Sequence, residues 1–255
     1  MDIQAIIYLI AFFFIYSFLG WVLESVTKTI SQKKLVNSGF LYGPFCPIYG
    51  LGAVWMILIL KSFEGNYITI FILSFIIFTI WEYFVGWLLE KVFHTKYWDY
   101  SYYKFQIKGR VCLVNSLTWG FLGVAFTELI HPVVTYIISL LPSQIISVAV
   151  PILIIYLIID FVVTSIKIKN IKIKIYKFNE ITNNLKEKIE ELKASPKKGY
   201  KIKKAIEELK QKQAELKETI EKQTQRLRDA FPKITFEKIS ERLKRKVETR
   251  KANKK

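Results

Sequence analysis

Hydrophobic residues form long runs over the first two thirds of the chain, and polar residues interrupt them at short connections. A bilayer core requires about 20 apolar residues per helix. Runs of that length cover 3–23, 67–89, 111–141 and 145–166, and a shorter run, broken by prolines at its start, covers 45–60. The pattern predicts an all-α, polytopic membrane protein with five transmembrane helices, or four if the short run does not cross. The run 111–141 is overlong, and we expect His131-Pro132 to kink or divide it.

Charge separates the chain into two parts. Of its 255 residues, 52% are hydrophobic, yet the net charge is +17. Residues 1–166 hold 9 basic and 8 acidic side chains, whereas residues 167–255 hold 29 and 13. We therefore predict a transmembrane domain over 1–166 and a basic cytoplasmic tail over 167–255. Two cysteines exclude a disulfide-stapled scaffold, and the histidines and cysteines lack metal-ligand spacing, so we expect no metal and no cofactor.

The distribution of lysine and arginine predicts the orientation. The connections after the first and third predicted spans hold eight basic residues, and the connections on the other side hold only Lys61. Basic connections face the cytoplasm. The protein is thus predicted to lie in the cell membrane with its N-terminus outside and its C-terminus in the cytoplasm.

The tail has helical periodicity. Isoleucine and lysine alternate over 166–176, which we interpret as a helical or irregular segment at the membrane surface near anionic lipid. Apolar positions over 181–192 and a heptad pattern over 202–227, interrupted at Gln213 and Gln223, predict an antiparallel coiled-coil hairpin. A third, basic helix is expected over 236–247. No base-reading motif is present, so nucleic acid is not an expected partner.

A shift of 66 residues superimposes Gly20-Trp21-Val22-Leu23-Glu24 on Gly86-Trp87-Leu88-Leu89-Glu90. The same shift pairs Gly43 with Gly109 and Cys46 with Cys112 without a gap. These matches predict a parallel internal repeat in which spans one and two form one unit and spans three and four form the other.

Glu82 is the leading candidate for a functional residue. It shares a helical face with Gly86 and Glu90 and lies about 12 Å deeper than Glu90. A carboxyl at this depth is costly, which predicts either a substrate or ion role or a protonated carboxyl that bridges two helices. The predicted pathway residues are Glu82, Glu24, Glu90, Tyr16, Asn115 and Ser116. In the following loop, Trp98, Asp99 and Arg110 are candidates for a membrane-surface role, with Asp99 and Arg110 as a possible structural or substrate-gripping pair.

Several motifs carry a family resemblance. They are Gly-Trp-x-Leu-Glu in the first span, GFLYGPFCPIYG over 39–50, Trp98-Asp99-Tyr100-Ser101, and Lys108-Gly109-Arg110 followed by Trp119-Gly120. Over residues 5–160 the chain resembles the bacterial membrane family labelled "putative ABC transporter permease", or ABC-transporter type IV. The resemblance implies a permease that works with an ATP-hydrolysing subunit. This chain contains no phosphate-binding GxxxxGK[ST] loop, so that subunit would be a separate chain.

Three functions follow as hypotheses. The first is a permease-like, non-enzymatic component of a transport system of unknown substrate, which could also form a homo-oligomer. The second is a membrane enzyme that acts on lipid headgroups through His94, Asp99 and Arg110. The third is a scaffold in which the spans anchor the coiled coil.

Overall fold

The computed structural model describes residues 2–93, 95–194, 199–232 and 234. Helices dominate this part of the chain. In chain order they are α1 (Ile3–Gln32), α2 (Pro47–Leu60), α3 (Tyr67–Phe93), α4 (Leu113–Ala125), α5 (His131–Ser139), α6 (Ser143–Ala194) and α7 (Gly199–Ala230). A two-stranded antiparallel ribbon, β1 (Gln106–Ile107) and β2 (Val111–Cys112), interrupts the loop between α3 and α4.

Four helical segments in the described residues are long and apolar enough to cross a membrane. They are Ile3–Gln32, Tyr67–Phe93, Leu113–Ser139 and Ser143–Leu192. The prediction of an all-α membrane protein is therefore confirmed. With 14 residues, α2 is about 21 Å long against a bilayer core of about 30 Å. A fifth complete span stays a prediction.

The expected distortion near His131-Pro132 takes the form of a π-helical turn. The segment Phe126–Ile130 joins α4 to α5, and the His131 N–H donates to the carbonyl of Phe126, five residues earlier. A proline cannot donate the ordinary backbone hydrogen bond and its ring crowds the preceding turn. The wider turn keeps the segment from α4 to α5 helical, so the proline distorts the span without ending it.

Compact packing divides the chain into two units. The first, called here the membrane unit, contains residues 1–164 and 229–234. Within it, α1 packs mainly on α2, and α3 packs mainly on α4. Glycine permits close approach in both hairpins, because a Cβ atom on Gly50 would overlap Ser17, and one on Gly123 would overlap Ser74.

One end of the membrane unit gathers three separate stretches of sequence. Lys34 Nζ lies 2.6 Å from Asp229 Oδ1, and the Gln32 side chain donates to the Asp229 carbonyl. The ring of Phe231 packs edge-on against Tyr97 at 5.0 Å between centroids. The connections after α1 and after α3 therefore lie on the same face as residues 229–231.

The described part of the second unit lies within residues 165–228. In its described part, Leu185, Ile202 and Ile206 form a buried cluster, and Gln213 donates to the Thr182 hydroxyl at 2.8 Å. These contacts run in opposite directions along α6 and α7, as in an antiparallel hairpin. Residues 166–176 lie within α6, so their two-residue alternation does not produce a strand. The coiled coil stays a prediction, and the third basic helix over 236–247 lies outside the described residues, as does His94.

Candidate functional site

Glu82 lies on α3 and is 6% exposed. Three neutral groups surround its carboxyl. The Tyr100 hydroxyl is 3.1 Å from Oε1, the Asn115 amide nitrogen is 3.2 Å from the same oxygen, and the Trp119 indole nitrogen is 3.1 Å from Oε2. Asn115 and Trp119 lie four residues apart on one face of α4, whereas Tyr100 comes from the loop. Two helices and a loop therefore converge on one carboxyl group.

The groups around the Glu82 carboxyl are placed to donate hydrogen bonds to its two oxygens. An indole N–H and an amide NH₂ can only donate. The Asn115 amide also donates to the Tyr100 oxygen at 2.5 Å, which leaves the Tyr100 hydroxyl free to donate to Glu82. A proton on Glu82 would compete with the Tyr100 hydrogen for this position. In the described part of the chain no basic side chain lies within ion-pair distance of Glu82.

A second carboxyl on α3, Glu90, has a charged partner. Arg110 Nη2 lies 2.7 Å from Glu90 Oε2, and Arg110 Nη1 donates to the Tyr83 hydroxyl at 2.9 Å. The Trp98 indole donates to the Arg110 carbonyl at 2.9 Å. The hydrogen bond from Arg110 to Glu90 is the main cause of the raised pKa of Arg110. This network fastens the loop to the end of α3.

Asp99 forms a local turn. Lys96 Nζ is 2.8 Å from its carboxylate, and the backbone and hydroxyl of Ser101 both donate to it. Burial acts to raise the pKa of Asp99, but the hydrogen bonds from Lys96 and Ser101 outweigh it and lower the pKa to about 2. Gly109 has a positive φ of 67° and packs so closely on this turn that a Cβ atom would overlap Asp99. Asp99 and Arg110 are thus bound to other residues and not to each other.

The turn positions Tyr100 for its contact with Glu82. The Tyr100 N–H donates to the carbonyl of Gly109 at 2.8 Å, which fixes the backbone next to Asp99. Burial raises the pKa of Tyr100 well above its usual range, and the neighbouring Glu82 carboxylate raises it further. Tyr100 therefore keeps its proton and can act as a hydrogen-bond donor over the whole physiological pH range.

Glu24 occupies the corresponding end of α1. It accepts from Lys28 and Ser38 at 2.7 Å each and from the Tyr49 hydroxyl at 2.9 Å. Because Lys28 supplies a full positive charge, Glu24 resembles Glu90 and differs from Glu82. The sequence indicates this difference in part, because Lys28 follows Glu24 by four residues and no basic residue stands three or four residues from Glu82.

Two further predicted polar residues lie elsewhere. The Tyr16 hydroxyl is 2.9 Å from His131 Nδ1, which links α1 to the start of α5. The Ser116 hydroxyl donates to the carbonyl of Cys112 in its own chain segment at 3.2 Å, and it has no contact with the Glu82 carboxyl. Asp160 on α6 accepts hydrogen bonds from the backbone N–H groups of Tyr42 and Gly43.

The structure therefore brings the predicted residues together in separate groups. Glu82 joins Asn115, Glu90 joins Arg110 and Trp98, and Tyr16 and Glu24 each bind other partners. Sequence reasoning missed Tyr100 and Trp119 as partners of Glu82. Trp119 could have been predicted as a partner, because it lies four residues after Asn115 on the same helical face. Tyr100 could not, because its position depends on the fold of the loop. Among the described residues, no group of three or more potential metal ligands is present.

The family model described as "Putative ABC-transporter type IV" matches residues 11–165. The chain belongs to this family. The match contains every predicted site residue and the partners of Glu82 given above. Comparisons with curated proteins and with solved structures found no match. Family membership and the apolar helices together indicate a multi-pass membrane protein related to transport.

In this type IV protein, the ion pair between Glu90 and Arg110 gives a first prediction. The two side chains are 21% and 14% exposed, so Arg110→Gln leaves a largely buried carboxylate without its partner. We expect a loss of about 1–3 kcal/mol in stability, measured by thermal unfolding in detergent. The double variant with Glu90→Gln should recover part of this loss.

Lys96→Gln provides the control, because its partner Asp99 is 37% exposed and keeps the hydrogen bonds from Ser101. Its effect should be clearly smaller. Equal effects of Lys96→Gln and Arg110→Gln would contradict a special role for the Glu90 pair.

Proposed function

We propose that the protein is a permease-like, non-enzymatic component of a transport system in the cell membrane, and that Glu82 binds the positive charge that moves. The observation that carries this proposal is the environment of Glu82. Its carboxylate is buried in a membrane helix and is surrounded only by neutral donors. Glu24 and Glu90, by contrast, are already neutralised by Lys28 and Arg110.

Neutral donors support an ionised carboxylate without cancelling its charge. At the centre of a bilayer an ionised side chain costs about 2.5–3.5 kcal/mol on insertion scales. Three hydrogen bonds lower that cost, but the electric field of the carboxylate remains. A proton or a small cation that reaches Glu82 would remove this field, and therefore binds there more favourably than elsewhere in the apolar unit.

The orientation with the N-terminus outside rests on the basic connections. Lys28 lies near the end of α1, and Lys33 and Lys34 follow this helix. Lys96, Lys104 and Lys108 follow α3. Contacts of Lys34 with Asp229 and of Tyr97 with Phe231 support a shared face for these connections and residues 229–231. Because the positive-inside rule applies to short loops of this kind, we assign this face to the cytoplasm.

The proposed internal repeat would place Glu82 in one of two related hairpins. Cys46 and Cys112 are each the N-cap of the second helix of their hairpin. Three residues further on, Tyr49 and Asn115 each reach back to a carboxyl on the first helix. The two carboxyls, Glu24 and Glu82, do not occupy equivalent positions under the shift of 66. The hairpins would thus share an architecture while only the second carries an uncompensated charge.

The partners belong to the same proposal. A separate ATPase subunit would supply energy, the membrane unit could assemble as a homo-oligomer, and the basic tail would bind anionic lipid while its helices form the predicted coiled coil. Support for the ATPase comes from the family name alone, and support for the tail comes from its excess of lysine and arginine.

Replacing Glu82 with Gln tests the role of the charge. We expect Glu82→Gln to abolish cation or proton flux in proteoliposomes, because glutamine keeps the size of the side chain and loses its charge. Flux would be measured with a pH-sensitive dye and with sodium and potassium isotopes.

Tyr100→Phe is the matched control for structure. It removes one donor from Glu82 but leaves the carboxylate in place, so flux should persist at a reduced rate. Wild-type flux in Glu82→Gln would show that the carboxyl only joins two helices.

Purification from the native host in mild detergent tests the partnership. We expect a stoichiometric ATPase subunit to remain bound and to be identified by mass spectrometry. Deletion of residues 180–255 also removes residues 229–234 of the membrane unit, and it should leave this subunit bound if the interface lies within residues 1–164. Recovery of the full chain alone or as a homo-oligomer would contradict the partnership.

A further inference from the structure

A cleft lies in the membrane unit at the π-helical turn, apart from the residues that bind Glu82. Its volume is about 190 Å³, which is below the range of about 300–1,000 Å³ for pockets that hold drug-sized ligands. The end of α2, the connection to α3, the π-helical turn and the start of α5 line it. A cleft of this size is suited to a solute of only a few heavy atoms.

Two opposite charges line this cleft without neutralising each other. Lys61 and Glu64 are three residues apart on a 3₁₀ turn, and both are exposed. In the part of the chain that the structure describes, neither side chain forms an ion pair. Opposite charges that remain separate can each bind a complementary group of one ligand.

The rest of the lining is partly apolar and partly polar. Met56, Ile57, Phe126 and Pro132 provide an apolar wall. His131 also lines the cleft, and its Nδ1 is already bonded to the Tyr16 hydroxyl, which leaves Nε2 as the ring nitrogen available to a solute. The cleft thus combines one cation, one anion, an imidazole and a small apolar surface.

We propose that this cleft binds a small zwitterion that carries one carboxylate, one ammonium group and a short apolar side chain, as an α-amino acid does. Lys61 binds the carboxylate, Glu64 binds the ammonium group, and the apolar wall contacts the side chain. A purely anionic solute would face Glu64, and a purely cationic solute would face Lys61. The two charges therefore select for a molecule that has both.

The role of zwitterion binding in the cleft rests on the proposed transport function. Under the proposed orientation the cleft opens to the outside, and His131 connects it to the buried hydroxyl of Tyr16 in α1. The cleft would be the place where an external solute first meets the membrane unit. Binding is measured without transport, so failure of the cleft and failure of the Glu82 proposal are distinguishable.

The test uses L-valine and two analogues that each lack one charge. Isobutylamine lacks the carboxylate, and isovalerate lacks the ammonium group. Binding to the purified full-length protein in lipid nanodiscs would be followed by calorimetry and by the shift in melting temperature. We expect valine to bind about tenfold more tightly than either analogue, because each analogue loses one charged hydrogen-bonding group; this is a difference of about 1.4 kcal/mol.

Variants of the two charged residues make the prediction specific. Lys61→Gln should reduce valine affinity to that of isobutylamine, and Glu64→Gln should reduce it to that of isovalerate. Thr135→Trp, which fills the cleft without changing its charge, should abolish binding of valine. Lys203→Gln removes an exposed cation from the tail and should have no effect.

Three results would overturn the proposal. They are the absence of saturable valine binding up to roughly 10 mM, equal affinity for valine and its analogues, and unchanged affinity in Lys61→Gln and Glu64→Gln. Because Lys61, Glu64 and Thr135 are exposed, their variants should fold, and wild-type melting temperatures without ligand would establish this.

Discussion

The membrane unit depends most on the hydrogen bonds that the Glu82 carboxyl accepts. An apolar helix cannot leave a charged oxygen without partners, because water is absent from the bilayer core. Three groups supply these partners: an indole and an amide on α4, and a phenol from the loop. The loop must therefore fold back over the end of α3, and the ion pair of Arg110 with Glu90 and the turn at Asp99 hold it there. The local order of the connection between α3 and α4, 19 residues long, thus follows from one buried side chain and its neighbours.

The three carboxyls on α1 and α3 differ in whether a basic side chain compensates their charge. Glu24 and Glu90 each have a basic partner at 2.7 Å, and such pairs fix helix ends and loops. Glu82 has hydrogen bonds alone. Under the proposed function, these hydrogen bonds stabilise the Glu82 carboxylate while its charge still attracts a cation. The cleft at Lys61 and Glu64 follows a related principle, since its opposite charges lie close together without pairing. Among the described residues, neither Glu82 nor the two charged residues of the cleft form an ion pair.

Hydrophobic run length was sufficient to predict the helices, because a bilayer imposes one length on every span. The depth of Glu82 and its proximity to Asn115 could also be anticipated, from helical spacing and from the position of Asn115 early in the next helix. The pair of Glu24 with Lys28 follows from their i, i+4 spacing on α1. The partners of Glu82 and Glu90 could not all be predicted, because Tyr100 and Arg110 belong to a loop whose conformation depends on tertiary contacts. The π-helical turn could be predicted only in part. Pro132 indicated a distortion, but proline alone does not determine whether a helix kinks, ends or widens. Alternation over 166–176 resembled a strand, yet these residues continue α6.

The central claim is that Glu82 is ionised in the membrane and lacks a counter-charge. Infrared difference spectroscopy of the protein in lipid, comparing wild type with Glu82→Gln at neutral pH, measures this directly. We expect the difference spectrum to contain the symmetric and antisymmetric stretching bands of a carboxylate, and these bands should shift when a monovalent cation is added. A carbonyl stretching band of a protonated carboxylic acid at neutral pH, unaffected by cations, would contradict the account.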